Sequence, residues 1–198
     1  MNEQTVFHLI FVFAFSAFTV IRMIYRWRAV RLGGKAEYKE GRINAALRAA
    51  FGLPYILVLF AYMVSPRLLV WADFALPSWA RWIGAALSLA ALPTIVWIQH
   101  SLGLNFSTTL HVREEHTLVT QGPYRWVRHP MYSLFFAQAA GFLLLTQNLF
   151  IGGVYLAALT LVVVSRVRKE ENAMVEKFGK VYRRYMKTTG RFLPRISR

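Results

Sequence analysis

The chain of 198 residues has no cysteine, so disulfides, thiolate metal ligands and a cysteine nucleophile are excluded. Negative charge is scarce: 9 Asp+Glu face 24 Lys+Arg, a formal net charge of +15. Such an imbalance often marks a disordered basic tail, but those tails lack apolar residues. Here 56% of the residues are hydrophobic, 15% are aromatic and mean hydropathy is +0.37. An ordinary soluble domain disperses its apolar residues with the periodicity of its elements. This chain gathers them in long blocks without charge. A soluble nucleic-acid binder would explain the charge and not the blocks. No recognition motif accompanies the basic residues, so no nucleic-acid partner is expected. There is no internal repeat and no low-complexity segment. The expectation is an all-α, multi-pass integral membrane protein whose length suits one compact helical bundle.

A spanning helix needs about 20 mostly apolar residues. Five blocks approach that length: Thr5–Ile21, Ala49–Val64, Trp82–Ile98, Met131–Thr146 and Ile151–Ser165. The first is followed, not preceded, by positive charge at Arg22, which argues against a signal peptide. The second is stopped by Pro66 and Arg67. The third has Trp79, Trp82 and Trp97 near its ends as interfacial anchors, and Pro93 inside it should kink it. The last two are joined by Gln147-Asn148 and Gly152-Gly153, a linker short enough to demand an antiparallel helical hairpin.

Five crossings place the termini on opposite sides. With the N-terminus outside, the cytoplasmic segments hold 22 of the 24 Lys+Arg, and the positive-inside rule selects that orientation. The basic residues then lie beside anionic headgroups, which explains the charge. Residues 22–48 read as a basic interfacial connection. The chain divides into 1–99, carrying three spans, and 100–198, carrying the residues with chemistry.

Four of the five histidines, His100, His111, His116 and His129, fall on the cytoplasmic side with Glu114-Glu115 and Glu170-Glu171. The histidine spacings match no helical ligand pattern, and without cysteine a zinc site would need His and carboxylates alone. No metal is expected. The most informative stretch is Gly122–Tyr132, GPYRWVRHPMY. Pro123 and Pro130 disfavour helix at the residues before them, so Gly122 and His129 should be extended. Pro130 suits the first position of the following helix. Irregular backbone at a membrane surface is tolerated where it lines a polar cavity; an interfacial turn with aromatic and arginine anchors is the plainer reading. Beyond the last span, Ser165–Lys187 reads as an amphipathic helix with Met174, Phe178, Val181, Tyr182 and Tyr185 on one face. Arg166 and Glu170 are four apart and hence neighbours on the helix surface. Thr189-Gly190 should end that helix, leaving Phe192-Leu193-Pro194 to pack back as a closing tail.

The order SLGLNFS (101–107), HTLVTQGPYRWVRHPMY (116–132), RVRKEE (166–171) and FGKVYRRYMKTTGRFLP (178–194) resembles the isoprenylcysteine carboxyl methyltransferase family, which groups with the integral-membrane phospholipid methyltransferases. The resemblance covers 101–194; the first three spans match only as membrane helices. It implies a membrane bundle with a cytosolic cofactor pocket and S-adenosylmethionine as methyl donor. The cofactor would be held by His116, Thr117, Leu118 and Val119, by Tyr124, by His129, Pro130, Met131 and Tyr132, and by Glu170. His111 lies where the family often has another polar contact. Arg166 matches the arginine that serves the substrate and the catalytic centre. One departure stands out: the family commonly has glycine two residues after the motif tyrosine, whereas Ser133-Leu134 follow Tyr132 here, a larger side chain that should narrow the pocket or the lipid entrance.

The implied acceptor is lipophilic or amphiphilic, drawn from among the membrane lipids or lipid-bearing molecules. A carboxylate acceptor is ionised near neutrality and needs an arginine clamp without a general base. An amine acceptor would have to lose a proton, making His129 or Glu171 a conceivable base. Two other readings stay open: an NADPH-dependent membrane reductase of the sterol-reductase type, with a related RHPxY-like stretch, and a non-catalytic membrane ligand sensor. The topology is directly testable. A reporter fused after Gln147 should read external and one after Arg198 cytoplasmic; identical compartments would overturn the odd number of crossings.

Overall fold

The computed structural model describes residues 2–33, 55–103 and 117–195. Among these, five helices form the frame: α1 (Glu3–Gly33), α2 (Tyr55–Val64), α3 (Ser78–Leu102), α4 (Pro130–Thr146) and α5 (Val154–Thr188). The bundle is all-helical apart from isolated bridges.

Helix α1 begins where the Asn2 side chain accepts the Thr5 backbone N–H at 2.9 Å, an N-cap that satisfies a donor the helix cannot. It runs through the first apolar block and past Arg22, Arg26, Arg28 and Arg31. Helix α2 ends at Val64, and Pro66 opens a 3-10 turn, Pro66–Ala72, bent by 118° from it. The start of the second block, 49–54, lies outside the described residues. Helix α3 continues through Pro93, so the proline does not interrupt it. Helix α4 begins with Pro130 at its first position, as the sequence requires.

The expected hairpin is present. Gln147 takes a left-handed conformation (φ +52°) and Leu149–Gly153 forms a π-turn leading into α5. Asn148, fully buried, anchors it: its amide donates to the Leu69 carbonyl at 2.8 Å and to Asp73 Oδ1 at 2.6 Å. Its Oδ1 accepts the Ile151 N–H at 3.0 Å. Phe74 N–H donates to the Gln147 carbonyl at 2.9 Å. Both polar groups of this buried asparagine side chain are thus satisfied, the nitrogen tying the 3-10 turn and Asp73 to the hairpin and the oxygen closing the hairpin's own turn.

Helices α3 and α4 approach most closely. A Cβ on Gly84 would lie 2.5 Å from the Leu145 nitrogen and 2.8 Å from the Gly141 carbonyl oxygen; one on Gly141 would lie 2.8 Å from Ser88 Oγ. Gly84 and Ser88, four apart, and Gly141 opposite them let the backbones meet, the small-residue contact that membrane helices use in place of a hydrophobic driving force. Around this seam Phe7, Phe11, Phe142, Leu145 and Ile151 form one core cluster, and Phe18, Ile95, Ile98, Tyr124 and Leu134 another. A third joins Leu159, Val163 and Val167 of α5 to Ala139 of α4.

The outside of the bundle is apolar. Phe13, Val64, Leu161 and Val164 are 60–86% exposed, an exterior suited to lipid. Among the described residues three helices are long and apolar enough to cross a membrane alone, α2 with its 3-10 turn forms a bent fourth candidate, and α4 is a shorter apolar helix. The protein is therefore an integral membrane protein. From Leu149 to Thr188 the π-turn and α5 run for 40 residues, more than one crossing of the hydrocarbon core takes. The distal half, beyond Arg166, carries Arg168, Lys169, Glu170, Glu171 and the basic residues after them. That half is not the continuous amphipathic helix expected: Gly179 (φ +54°) breaks it. Across the break Tyr182 and Tyr185 are buried while Val181 is exposed.

The α3–α4 contact predicts a contrast between two glycines. Gly84→Ala should destabilise the detergent-solubilised protein by about 1–3 kcal/mol through overpacking. Gly153, whose added Cβ would meet nothing within 4 Å, should accept alanine with no loss. Equal melting temperatures for the two variants would refute the close approach.

Candidate active site

The site is assembled at the N-terminus of α4, the distal half of α5 and the tail after it. Residues 117–120 run without regular structure into a 3-10 turn, Gly122–Arg125. Gly122 is not extended as its following proline suggested. It adopts φ +57°, and an added Cβ would lie 2.5 Å from Ser101 Oγ, so both the backbone sign and the close approach call for glycine. His129 is non-helical (φ −124°, ψ 61°) but falls short of the extended conformation that its following proline suggested, and no side chain among the described residues caps α4.

The adjacent carboxylates of α5 point to different partners. Glu170 faces the start of α4: its Oε1 accepts the Tyr132 hydroxyl at 2.7 Å and lies 3.7 Å from Arg166 Nε, and its Oε2 lies 3.7 Å from His129 Nδ1. Glu171, with a side chain 5% exposed, is the hub of a clamp. Arg128 donates to its Oε1 through Nε at 3.0 Å and Nη2 at 2.9 Å, and Arg191 donates through Nε at 3.2 Å and through Nη2. His129 Nε2 lies 3.4 Å from the same Oε1. The remaining Arg128 nitrogen donates to the carbonyls of Met186, at 3.1 Å, and Thr189.

The tail packs back as the sequence suggested. Arg128 N–H donates to the Gly190 carbonyl at 2.8 Å and His129 N–H to that of Arg191 at 3.0 Å, a short parallel bridge. Ser133 Oγ donates to the Phe192 carbonyl at 2.6 Å, and the Phe192 ring centroid lies 5.9 Å from that of His129. Tyr185 donates to the carbonyl of Tyr124. His129 is therefore fixed by backbone, by ring contacts with Tyr132 and Phe192, and by carboxylates on both sides.

Burial alone would raise the Glu171 pKa, but the nearby His129 ring and the hydrogen bonds from Arg191 and Arg128 more than reverse it and hold the group at about 2. A carboxylate so held accepts no proton near neutrality; Glu171 is not the base that an amine acceptor would require. Burial and the nearby Glu171 charge push the Tyr182 phenol up to about 12. The Tyr124 phenol is raised by burial, then by Tyr185 and the charge of Glu170, which places Tyr124 within electrostatic reach of that carboxylate.

Of the residues singled out in the sequence, the structure gathers His129, Tyr132, Glu170 and Arg166, with Pro130 and Met131 in the same helical turn and Tyr124 behind them. Thr117 is exposed, and Leu118 and Val119 are half-buried, Val119 against the cluster of Ile95 and Tyr124. His111 and His116 lie outside the described residues. Leu134, in place of the family's glycine, is buried in the α3–α4 core with Ile95 and Ile98, while Ser133 secures the tail. Sequence reasoning missed Arg128 and Arg191 as partners of Glu171. The signal was present, since each arginine sits inside a quoted motif and a buried acid demands cations.

A polytopic helical membrane bundle with a polar site at one end is the class this arrangement defines. Residues 82–176 match the model of the isoprenylcysteine carboxyl methyltransferase (ICMT) family, and the resemblance carried by the motifs is borne out. A relative from Saccharomyces cerevisiae named protein-S-isoprenylcysteine O-methyltransferase is 32% identical over 116 residues, 58% of this chain and 48% of that protein. The mouse protein of that name is 33% identical over 96 residues, 48% of this chain and 34% of its own length. The cobalt-zinc-cadmium resistance protein CzcN of Cupriavidus metallidurans is 32% identical over 85 residues, 43% of this chain and 39% of that protein. The chain thus spans about half or less of these relatives. In fold it is similar to the solved structure of a eukaryotic intramembrane Ras methyltransferase ICMT, with TM-score 0.59 and 20% identity over 91% of this chain and 66% of that one.

The clamp has a signed pH consequence. Because the folded Glu171 carboxyl titrates near 2 rather than its ordinary 4.5, it stabilises the fold above about pH 4.5 by roughly 3 kcal/mol, and that contribution disappears as pH falls through 2. The melting temperature should drop across this window. Glu171→Gln should be less stable at neutral pH and flatten the drop; an equally steep profile in that variant would show that another group is responsible.

Proposed function

We propose that this protein is an S-adenosylmethionine-dependent methyltransferase of the membrane, acting on a lipophilic acceptor that carries a carboxylate of the isoprenylcysteine kind. The observation that carries the reading is the convergence of Tyr132, Glu170, Arg166 and His129 at the uncapped start of α4. The family match over 82–176 and the names of the curated relatives support it. In this reading residues 1–99 are the membrane scaffold and 100–198 the methyltransferase core. Five crossings put the N-terminus outside and the site, with the C-terminus, in the cytoplasm.

The residues fit the donor. It has a sulfonium cation and an amino-acid end. Glu170 supplies negative charge for the first, and the N–H groups heading α4 supply donors for the carboxylate of the second. Thr117, Leu118, Val119 and Tyr124 complete the cofactor wall, with His111 and His116 as the further contacts that the family resemblance implies. When bound, the donor supplies an electrophilic methyl group and departs as a neutral thioether. The protein's part is positioning, since an in-line displacement depends on holding its reactants in register. Tyr132 holds Glu170 in place, the clamp on Glu171 holds His129, and Arg166 neutralises and orients the acceptor carboxylate. A carboxylate needs no base, which suits a site whose second acid, Glu171, is locked.

S-adenosylmethionine or its demethylated product should raise the melting temperature of the solubilised protein, because a ligand selective for the native state stabilises it. Glu170→Gln and His129→Ala should abolish that shift. Arg166→Lys should lose most turnover while the shift survives, since lysine cannot reproduce the guanidinium fork. A shift with NADPH and none with either methionine-derived ligand would transfer the site to the reductase reading. Unchanged turnover in Arg166→Lys would leave that arginine as a headgroup anchor only.

A further inference from the structure

The chain beyond Gly179 holds the site together on one face and turns outward a second face that the reading above gives no task. Gly179 takes φ +54° and redirects the chain, so the last turns of α5 do not continue its axis. Tyr182 and Tyr185, three apart, are buried, and the Tyr185 hydroxyl donates to the Tyr124 carbonyl. At about 100° per residue, Lys180, Arg183, Arg184 and Lys187 fall on the opposite side of these turns. All four are exposed. Among the described residues no carboxylate pairs with any of them, and no Asp or Glu follows Glu176 in the chain. Four like charges on one short face repel one another, and an anionic partner relieves that repulsion.

The tail shows what kind of partner fits. Phe192 packs against the cluster of Ala139, Leu159, Val163 and Val167, so the tail reaches the apolar flank of α4 and α5. The next residue, Leu193, is 77% exposed beside that flank. A Cβ on Gly190 would collide with the Leu193 carbonyl oxygen, so the chain turns tightly here. Arg195 then comes back to donate to the Lys187 carbonyl. An outward leucine is thereby set beside two cations at the edge of the apolar bundle. That combination suits a bilayer surface, where leucine enters the acyl boundary while the cations meet anionic headgroups. A soluble polyanion would satisfy the charges and leave Leu193 in water.

We propose that Lys180–Arg195 is a docking surface for anionic phospholipid headgroups and that docking there steadies the site. The inference does not rest on the methyltransferase reading. The docked segment is the one that supplies Arg191 to Glu171, and the Gly190 and Arg191 carbonyls to the N–H groups of Arg128 and His129. A membrane surface that binds the assembled segment stabilises it by linkage, and His129 is held with it. The order of the site thus depends on the charge of the surrounding lipid.

The test places the full chain, without cofactor, in nanodiscs of phosphatidylcholine or of an equal mixture with phosphatidylglycerol. Because the chain has no cysteine, Thr188→Cys offers a single attachment point for a fluorophore, and a nitroxide-bearing lipid reports its approach to the bilayer by quenching. Quenching should be stronger in the anionic discs. Hydrogen exchange at the Arg128 and His129 amides should be about tenfold slower there, the scale of one or two cation–headgroup contacts. Replacing Lys180, Arg183, Arg184 and Lys187 together by Gln should abolish both differences, and high salt should do the same to the unsubstituted face. Arg26→Gln with Arg28→Gln, which removes two exposed cations from α1, should leave both intact. Equal quenching or equal exchange in the two discs, or differences that survive both the fourfold variant and high salt, would overturn the proposal. So would their loss in the α1 variant. A response to soluble polyglutamate in neutral discs, with none to phosphatidylglycerol, would assign the face to an acidic polypeptide and overturn it as well.

Discussion

The site depends on one buried carboxylate. Glu171 on α5 receives Arg128 from the segment before α4 and Arg191 from the tail, so a single ionised group joins three stretches distant in sequence. Taking a carboxylate out of water is expensive unless cations and hydrogen bonds replace the solvent. Here two guanidiniums and an imidazole do so. Removing either arginine would leave a buried charge short of partners, which makes the clamp close to all-or-none. His129 inherits its placement from that condition, and Glu170, one residue from Glu171, inherits its aim at Tyr132.

The division of labour between adjacent glutamates follows from helix geometry. Successive residues project about 100° apart, so Glu170 and Glu171 cannot serve one partner. One faces α4 and stays half-exposed; the other is buried under the tail. A pair that reads in the sequence as duplicated acidity separates into a carboxylate facing the start of α4 and one locked under the tail.

Much of the architecture was legible because its causes are local. Pro66 ends α2, Pro130 starts α4, and the Gln147–Gly153 linker closes the hairpin, each through backbone restrictions that act within a few residues. The tail after Thr189 was legible for the same reason. What escaped was long-range or depended on φ. Gly179 inside an otherwise helical pattern gave no sign that it would take a positive φ, and Gly122 took one although the following proline suggested an extended residue; the close approach of Ser101 of α3, which excludes a side chain there, is equally hidden in the sequence. The partners of Glu171 lie 43 and 20 residues away, beyond the reach of any periodicity. Leu134, which the motif comparison set against the pocket, packs with Ile95 and Ile98 of α3 and with Tyr124.

Helix α4 has 17 residues, roughly 26 Å at 1.5 Å per residue, against about 30 Å for a typical hydrocarbon core. As a crossing it would fall short of that core, a mismatch that bilayers meet by thinning or by snorkelling of flanking side chains. Thinning would set His129 and Tyr132, at the head of α4, near the level where acyl chains give way to headgroups, and there water-soluble and chain-bearing molecules can meet without either leaving its own phase. The same shortfall should make the protein sensitive to the thickness of its host membrane, with thin bilayers accommodating the bundle at rest and thick ones straining the helix on which the site is built.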